Sequence, residues 1–294
     1  MIYREAVVHL QSTAPMTGMK TAVIDVGSNS VRLMLLDGED KKKYLSTTQL
    51  GRGLEDTGRL SEKAISDTLR AIGEYIALGD EVYVFATEAV RASSNGKEFC
   101  KTVERLYGVT VDVLSRDEEA RAGFLGATKG LEVASVIDIG GASTELATNG
   151  NDGFKGISLP LGAVRLTDKR MCGQDTVAYI KELLTEFNFS GEVFGIGGTI
   201  TSVALMVQNL VRYEAEKIHG YKLTVDAVSE LSEKLSGLSG REIFARYPAI
   251  GLKRAEVIYE GVKLLFVLMT YYRLRSITVS DSDNAEGYLL LRNL

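Results

Sequence analysis

Two short stretches of this 294-residue chain carry the same set of anion-binding groups, DVGSNSVRL from Asp25 to Leu33 and DIGGASTEL from Asp138 to Leu146. In each, an aspartate closes an apolar run, glycine and serine follow, and a second apolar run begins. Aligning Asp138 with Asp25 also puts Gly140 on Gly27, Ser143 on Ser30 and Leu146 on Leu33. Residues this small leave backbone N–H groups and short polar side chains able to close around an anion, here Ser28, Asn29 and Ser30 in the first loop and Gly140, Gly141 and Ser143 in the second. A third seat follows the apolar run 193–196, where Gly197, Gly198 and Thr199 open a helical stretch whose dipole favours negative charge. An ordinary hairpin or strand-helix turn uses the same residues, but three such loops in one chain point to a phosphate chain with its metal. Glu145, just past the second loop, joins the strand-end aspartates as a hard oxygen donor, which suits Mg2+ or another hard divalent cation such as Mn2+. The chain has no Walker A motif and no nucleophile elbow. The chemistry open to these groups is therefore phosphoryl transfer to water or to another acceptor.

The elements that must position these groups alternate between strand and helix patterns. Residues 22–36 read as strand, tight turn, strand, and 42–50 as a further strand. An amphipathic segment follows Ser61, a good N-cap, with Ile65, Leu69, Ile72 and Ile76 on one face. The strand 81–86 ends just before Thr87 and Arg91, where an open α/β sheet places its ligands; a helix-surface ion pair is the competing use of Arg91. A helix over 95–106 and a strand over 109–114 lead to the helix start SRDEEAR. There Ser115 and Glu118 fit a capping box, which leaves Glu119 without that task, although the helix dipole also favours an acid in the first turn. Gly130 to Val133 reads as a hinge, and strands over 134–138, 144–148 and 154–159 repeat the opening theme. Arg165, Lys169 and Arg170 make the densest positive cluster so far, either a solvated helix face or a contact to a long anion. Helix 175–187, a largely helical stretch 212–253 with an isolated structural His219, an apolar helix 254–272, a strand 277–280 and a short last helix complete the chain. Asp281 and Asp283 follow that last strand, at positions that also suit helix caps. The repeat predicts two similar α/β domains, 20–130 and 131–294, after an extended or disordered stretch 1–19, with the last helix able to pack back on the first domain.

Charge and composition narrow the partners. A formal net charge of −5 gives no general basic field for nucleic acid, so a polyanion must be met by local groups. Cys100 and Cys172 stand far apart with no metal spacing, which argues for a reducing compartment such as the cytoplasm and against a zinc site. The longest apolar stretch, 262–272, contains Lys263 and is too short to span a bilayer, so no membrane association is expected.

Taken in order, DVGSNS, ATEAVR, EEAR, DIGGASTEL, GIGGT and GLKRAEVIYEG resemble the exopolyphosphatase and guanosine pentaphosphate phosphohydrolase (Ppx/GppA) family, from about Lys20 to the C-terminus. The resemblance implies two actin-like (ribonuclease H-like) domains around an interdomain cleft, as in the superfamily that includes actin, sugar kinases and Hsp70 chaperones. It implies hydrolysis of the terminal phosphate of polyphosphate in that cleft, or of guanosine pentaphosphate, and leaves open a non-catalytic sensor and a homodimer. Carried over by position, Glu119 becomes the general base, Asp138 and Glu145 the metal ligands, and Asn29, Arg91, Gly141 and Gly198 the groups that grip phosphate. Two positions depart from the family pattern. Ala142 stands where DIGGGST has its third glycine, which demands either an ordinary backbone angle or strain, and NAEG replaces LREG, so that Ala285 stands for an arginine. With no further helical domains after the core, the chain resembles the short, two-domain members.

Overall fold

The computed structural model describes residues 18–171, 173–282 and 284–294, so the expectations for the N-terminal stretch before Gly18, for Cys172 and for Asp283 lie outside the described residues. The chain divides into two compact units, the first ending at Ser115 and the second running Arg116–Leu294.

Unit 1 is built on a five-stranded sheet of β1 (Thr21–Val26), β2 (Ser30–Asp37), β3 (Asp40–Thr47), β4 (Glu81–Ala86) and β5 (Val111–Val113), in the order β3-β2-β1-β4-β5. Strand β1 is antiparallel to β2 and parallel to β4, so one sheet joins a hairpin to a crossover through helix Glu62–Ile76. That helix starts where its sequence says it should: the Ser61 side chain accepts from the Ala64 N–H at 3.3 Å. Its Ile72 is fully buried against Ile24, Leu33 and Phe99 in the core of the unit.

Unit 2 repeats the arrangement and extends it. Its strands are β6 (Ala134–Ile139), β7 (Thr144–Asn149), β8 (Lys155–Leu159), β9 (Glu192–Ile196), β10 (Lys222–Thr224) and β11 (Ser276–Val279), in the order β10-β11-β9-β6-β7-β8. Counted from its own first strand, the run β8-β7-β6-β9 matches β3-β2-β1-β4, with the same antiparallel and parallel pairings. The short β10 falls in the stretch expected to be helical. With three residues and only Leu223 buried, it is too short to show a period of two, and its pairing with β11 is what makes it a strand.

The division between the units falls before helix Arg116–Thr128, whereas the sequence placed it after residue 130. This helix packs on β6, β7 and β8 and against the last helix, Asn284–Arg292. Ala120, Ala122, Gly123, Gly126 and Ala127 are all buried, and these small side chains let it lie close to its neighbours. A methyl on Gly156 of β8 would stand 3.0 Å from the Ala120 methyl, and one on Gly287 of the last helix would run into the Ala122 carbonyl. Among the described residues, no helix is long and apolar enough to cross a membrane.

Candidate functional site

The two hairpins match at the level of individual bonds. Gly27 N–H donates to the Ser30 carbonyl at 3.1 Å in unit 1, and Gly140 N–H donates to the Ser143 carbonyl at 3.0 Å in unit 2. The repeat is therefore present at the level of single bonds, and in each hairpin the amide of the glycine two residues after the aspartate closes its own turn. A methyl on either glycine would press to 3.1 Å from the same serine carbonyl oxygen, which explains why both positions carry glycine.

The hairpins differ in what stands opposite the aspartate. In unit 1 the register pairs Asp25 with Arg32, two charges that offset each other. In unit 2 it pairs Asp138 with Glu145, and both carboxylates are buried. Like charges directly opposite on neighbouring strands are destabilising, and burial magnifies the cost. Glu119, on helix Arg116–Thr128, adds a third buried acid. Burial, then the charge of Glu119, then that of Asp138 push the Glu145 carboxyl well above its usual range, while the hydroxyls of Ser158 and Ser143 work in the other direction. Ser158 Oγ donates to Glu145 Oε1 at 2.7 Å, so Ser143 and Ser158 both serve this carboxylate.

Asp138 is held from two sides. Asn284 Nδ2 donates to its Oδ2 at 3.1 Å, and its Oδ1 lies so close to Gly197 that a Cβ there would collide with it. Gly197 also has φ +88°, so only glycine meets both conditions. The helix Gly197–Val207 begins at this point, and its positive end faces the protein's own carboxylate. Gly198 is half-buried in the first turn, and Thr199 turns its methyl toward Gly261 of helix Ile258–Tyr271. The Thr199 hydroxyl oxygen is buried without a protein hydrogen-bond partner.

The second loop is pinned from behind. The N–H groups of Ala163, Val164 and Arg165, at the start of helix Ala163–Lys169, donate to the carbonyls of Gly140 and Gly141, and Arg165 Nε donates to the Ala142 carbonyl at 2.7 Å. Arg165 thus braces the loop. Ala142 is absent from the residues with positive φ, so it occupies its position without strain. Ala285, in the first turn of the last helix, is buried.

In unit 1, Ser28, Asn29 and Ser30 are buried in one turn. Asn29 Nδ2 donates to Ser30 Oγ at 3.2 Å, while Asn29 Oδ1 has no protein hydrogen-bond partner. The carbonyls of Ser28 and Asn29 accept from Gly51, Thr48 and Gln49, which clamps the turn to the segment after β3. Arg91 directs Nε and Nη2 to Glu88 Oε2, at 3.1 and 2.5 Å, and Nη1 to the Leu114 carbonyl. The ion pair considered for it from sequence is thus present within helix Glu88–Ala92, and the bond to the Leu114 carbonyl ties that helix to the chain after β5. Of the other residues singled out, His219 and Asp281 meet across the chain, since His219 Nδ1 accepts from the Asp281 N–H and the Asp281 carboxylate accepts from the Tyr213 hydroxyl, and Lys169 Nζ stands 4.8 Å from the Tyr179 ring centroid.

Glu119, Asp138 and Glu145 form one acidic centre in unit 2 that lacks a positive counterpart in the hairpin register. Among the described residues, no three His, Cys, Asp or Glu side chains form a ready-made metal cage. A hard cation held by one or two carboxylates, with water and substrate oxygens completing its shell, fits this donor set, because Mg2+ is commonly bound in that way. The sequence missed Asn284. The available signal was the position of this residue at a helix start just after the end of β11, the same logic that singled out Asp281.

Comparison with known proteins shows the family of the chain. Residues 39–292 match the Ppx/GppA phosphatase family. The chain is 31% identical, over 92% of its length, to the bifunctional 3-dehydroquinate synthase/phosphatase of Fusobacterium nucleatum, and spans 46% of that longer protein. It is 27% identical to Exopolyphosphatase 2 of Mycobacterium tuberculosis, over 92% of this chain and 98% of that one. The crystal structure of the Aquifex aeolicus Ppx/GppA family member superposes with a TM-score of 0.75 at 29% identity, covering 94% of this chain and 97% of that one. A match over most of the chain, on a site built from a repeated Asp-Gly-Ser hairpin with buried carboxylates beside it, has one meaning: this protein belongs to the Ppx/GppA phosphatase family.

Proposed function

We propose that the protein is an exopolyphosphatase that hydrolyses the terminal phosphoanhydride bond of inorganic polyphosphate and releases orthophosphate. One observation carries this reading: the buried Glu119 stands within electrostatic reach of the cross-strand carboxylates Asp138 and Glu145. Similarity to an exopolyphosphatase across nearly the full length of both chains supports the choice of substrate.

In this reading Glu119 accepts a proton from a water molecule as the water oxygen attacks the terminal phosphorus. The bond from that phosphorus to the bridging oxygen breaks, and the shortened polymer leaves with the electron pair. Asp138 and Glu145 would hold a divalent cation, which when bound neutralises charge on the phosphate oxygens. Fixed loop amides, those of Gly141 and Gly198 among them, would stabilise the same charge without having to reorganise. The finer architecture of this reading has two actin-like (ribonuclease H-like) halves with the polymer in the cleft between them, and Ser28, Asn29 and Arg91 contribute from unit 1. It is a cytoplasmic protein in this account, consistent with two cysteines that have no metal spacing.

The test is orthophosphate release from purified protein given polyphosphate or guanosine pentaphosphate, each with Mg2+ and with chelator. Release from polyphosphate that chelator abolishes is the expected result. Preferential release from guanosine pentaphosphate would move the substrate to the nucleotide, and release from neither would leave binding without hydrolysis.

A further inference from the structure

Asn284 is the first residue of the last helix, is nine-tenths buried, and reaches Asp138 across 146 residues of sequence. It opens the NAEG stretch, at the position where the family resemblance implies an LREG motif. A carboxylate only accepts, so the amide nitrogen faces Asp138 Oδ2 and the amide oxygen must point the other way. That oxygen is buried with no protein partner. It lies against helix Arg116–Thr128 at Gly123, one turn beyond Glu119, where a methyl group would sit 3.0 Å from Asn284 Oδ1, 3.2 Å from Ile196 Cδ1 and 3.9 Å from Asp138 Oδ2. The glycine therefore leaves room for an uncharged acceptor beside three acids.

We propose that Asn284 is a positioning residue of the acidic centre: its Nδ2 fixes the rotamer of Asp138, and its Oδ1 accepts a hydrogen bond from a water held among the carboxylates. The inference rests on the reading of Asp138 as a cation-holding group. A buried amide acceptor is costly to leave unmatched, and an orphan acceptor beside buried acids has its simplest partner in such a water. Outer-shell groups of this kind set how well a metal-holding carboxylate is aimed, and their loss typically weakens metal affinity about 10- to 100-fold.

The experiment is direct Mn2+ binding, by calorimetry and by the loss of the free-ion paramagnetic resonance signal, on the full chain and on Asn284→Leu, Gly123→Ala and Asp138→Asn. Circular dichroism melts report folding, and turnover is titrated with Mg2+ in parallel. Asn284→Leu should stay folded, bind Mn2+ about 10- to 100-fold more weakly, and recover most of its turnover when Mg2+ is raised, a rescue that a packing defect would not show. Gly123→Ala should weaken Mn2+ binding in the same direction by crowding the amide oxygen. If Asn284→Leu does not fold, Asn284→Ala removes the amide without adding bulk and takes its place. Wild-type Mn2+ affinity in a folded Asn284 variant overturns the role of Asn284. Undiminished Mn2+ binding by Asp138→Asn instead overturns the reading of Asp138 on which it rests.

Discussion

At the residue scale, the adjacent acids Glu118 and Glu119 are separated by where their side chains go. Successive helix positions point about 100° apart, and here one side chain is taken into the interior while the other stays at the rim. Glu119 is 5% exposed and lies within reach of Glu145, whereas Glu118 pairs with Arg292 at 2.7 Å with its side chain 35% exposed. Glu119→Gln should keep the fold and ligand binding but lose roughly 100-fold or more in turnover, the usual scale for a general base. Glu118→Gln should cost at most about 1 kcal/mol, because exposed pairs contribute little and the amide oxygen can still accept from Arg292. Steady-state phosphate release beside melting curves decides this, and the larger catalytic loss in a folded Glu118→Gln would reverse the two roles. The register pair Asp138 and Glu145 carries a second prediction. Removing one of two like charges should relieve the fold, so Glu145→Gln should raise stability without metal by about 0.2–1 kcal/mol while losing the extra stabilisation that added Mg2+ gives a protein that binds it. Denaturant melts with and without Mg2+ measure both effects, and a destabilised, metal-free Glu145→Gln would contradict the repulsion argument.

At the element scale, helix Ile258–Tyr271 shows how an apolar segment tolerates charge. Its Lys263 is buried, with Nζ 2.7 Å from Glu260 Oε1 one turn earlier and 4.7 Å from the Tyr259 ring centroid. Burial pushes the Glu260 carboxyl up, and the hydrogen bond and charge of Lys263 pull it down. With the folded value above the unfolded one, this carboxyl's contribution to stability is fullest below about pH 4.3, near the unfolded pKa, and is lost as pH rises through the folded value. Lys263→Met strips away the opposing cation. It should cost about 3–5 kcal/mol at neutral pH and clearly less in mild acid, where Glu260 takes up a proton. Glu260→Gln combined with Lys263→Met should recover most of the loss. Urea titrations at the two pH values test this, and an equal loss at both would mean that packing, not charge, holds the pair.

At the scale of the whole molecule, each unit has its own sheet and its own buried core, with Ile24, Leu33 and Phe99 in one and Ile137, Leu146 and Leu268 in the other. The net charge of −5 is the wrong sign for a general attraction to polyphosphate. On the proposed reading, binding comes from a few local groups and a divalent cation, and its dependence on salt should be shallow. Each phosphate met by a basic side chain adds about 0.7 to the slope of log KM against log salt for a flexible single strand. For polyphosphate at fixed free Mg2+, that slope should stay below about 3. A much steeper slope would reveal a long basic track and overturn the local picture.

The amino-acid sequence by itself determined the local pieces. Continuous apolar runs ending in Asp25 and Asp138, each followed by a glycine- and serine-containing turn, specified the two hairpins, and Ser61 specified a helix start that the structure keeps. The same loops pointed to Asp138 and Glu145 as oxygen donors, whereas Glu119 was only left without a capping task, and its role came from the family resemblance. Only the tertiary structure decided what those pieces meet. Helix Arg116–Thr128 is lined with small buried residues and has no distinct polar face, so no periodicity could assign it to a unit; its packing on β6 to β8 did. The Gly140 amide is spent within its turn, Arg165 braces a loop, and Asn284 meets Asp138. Periodicity and turn chemistry act over a few residues and survive in the one-dimensional string. Partnerships between distant residues are set by which faces pack to exclude water, and that choice is made by the assembled core.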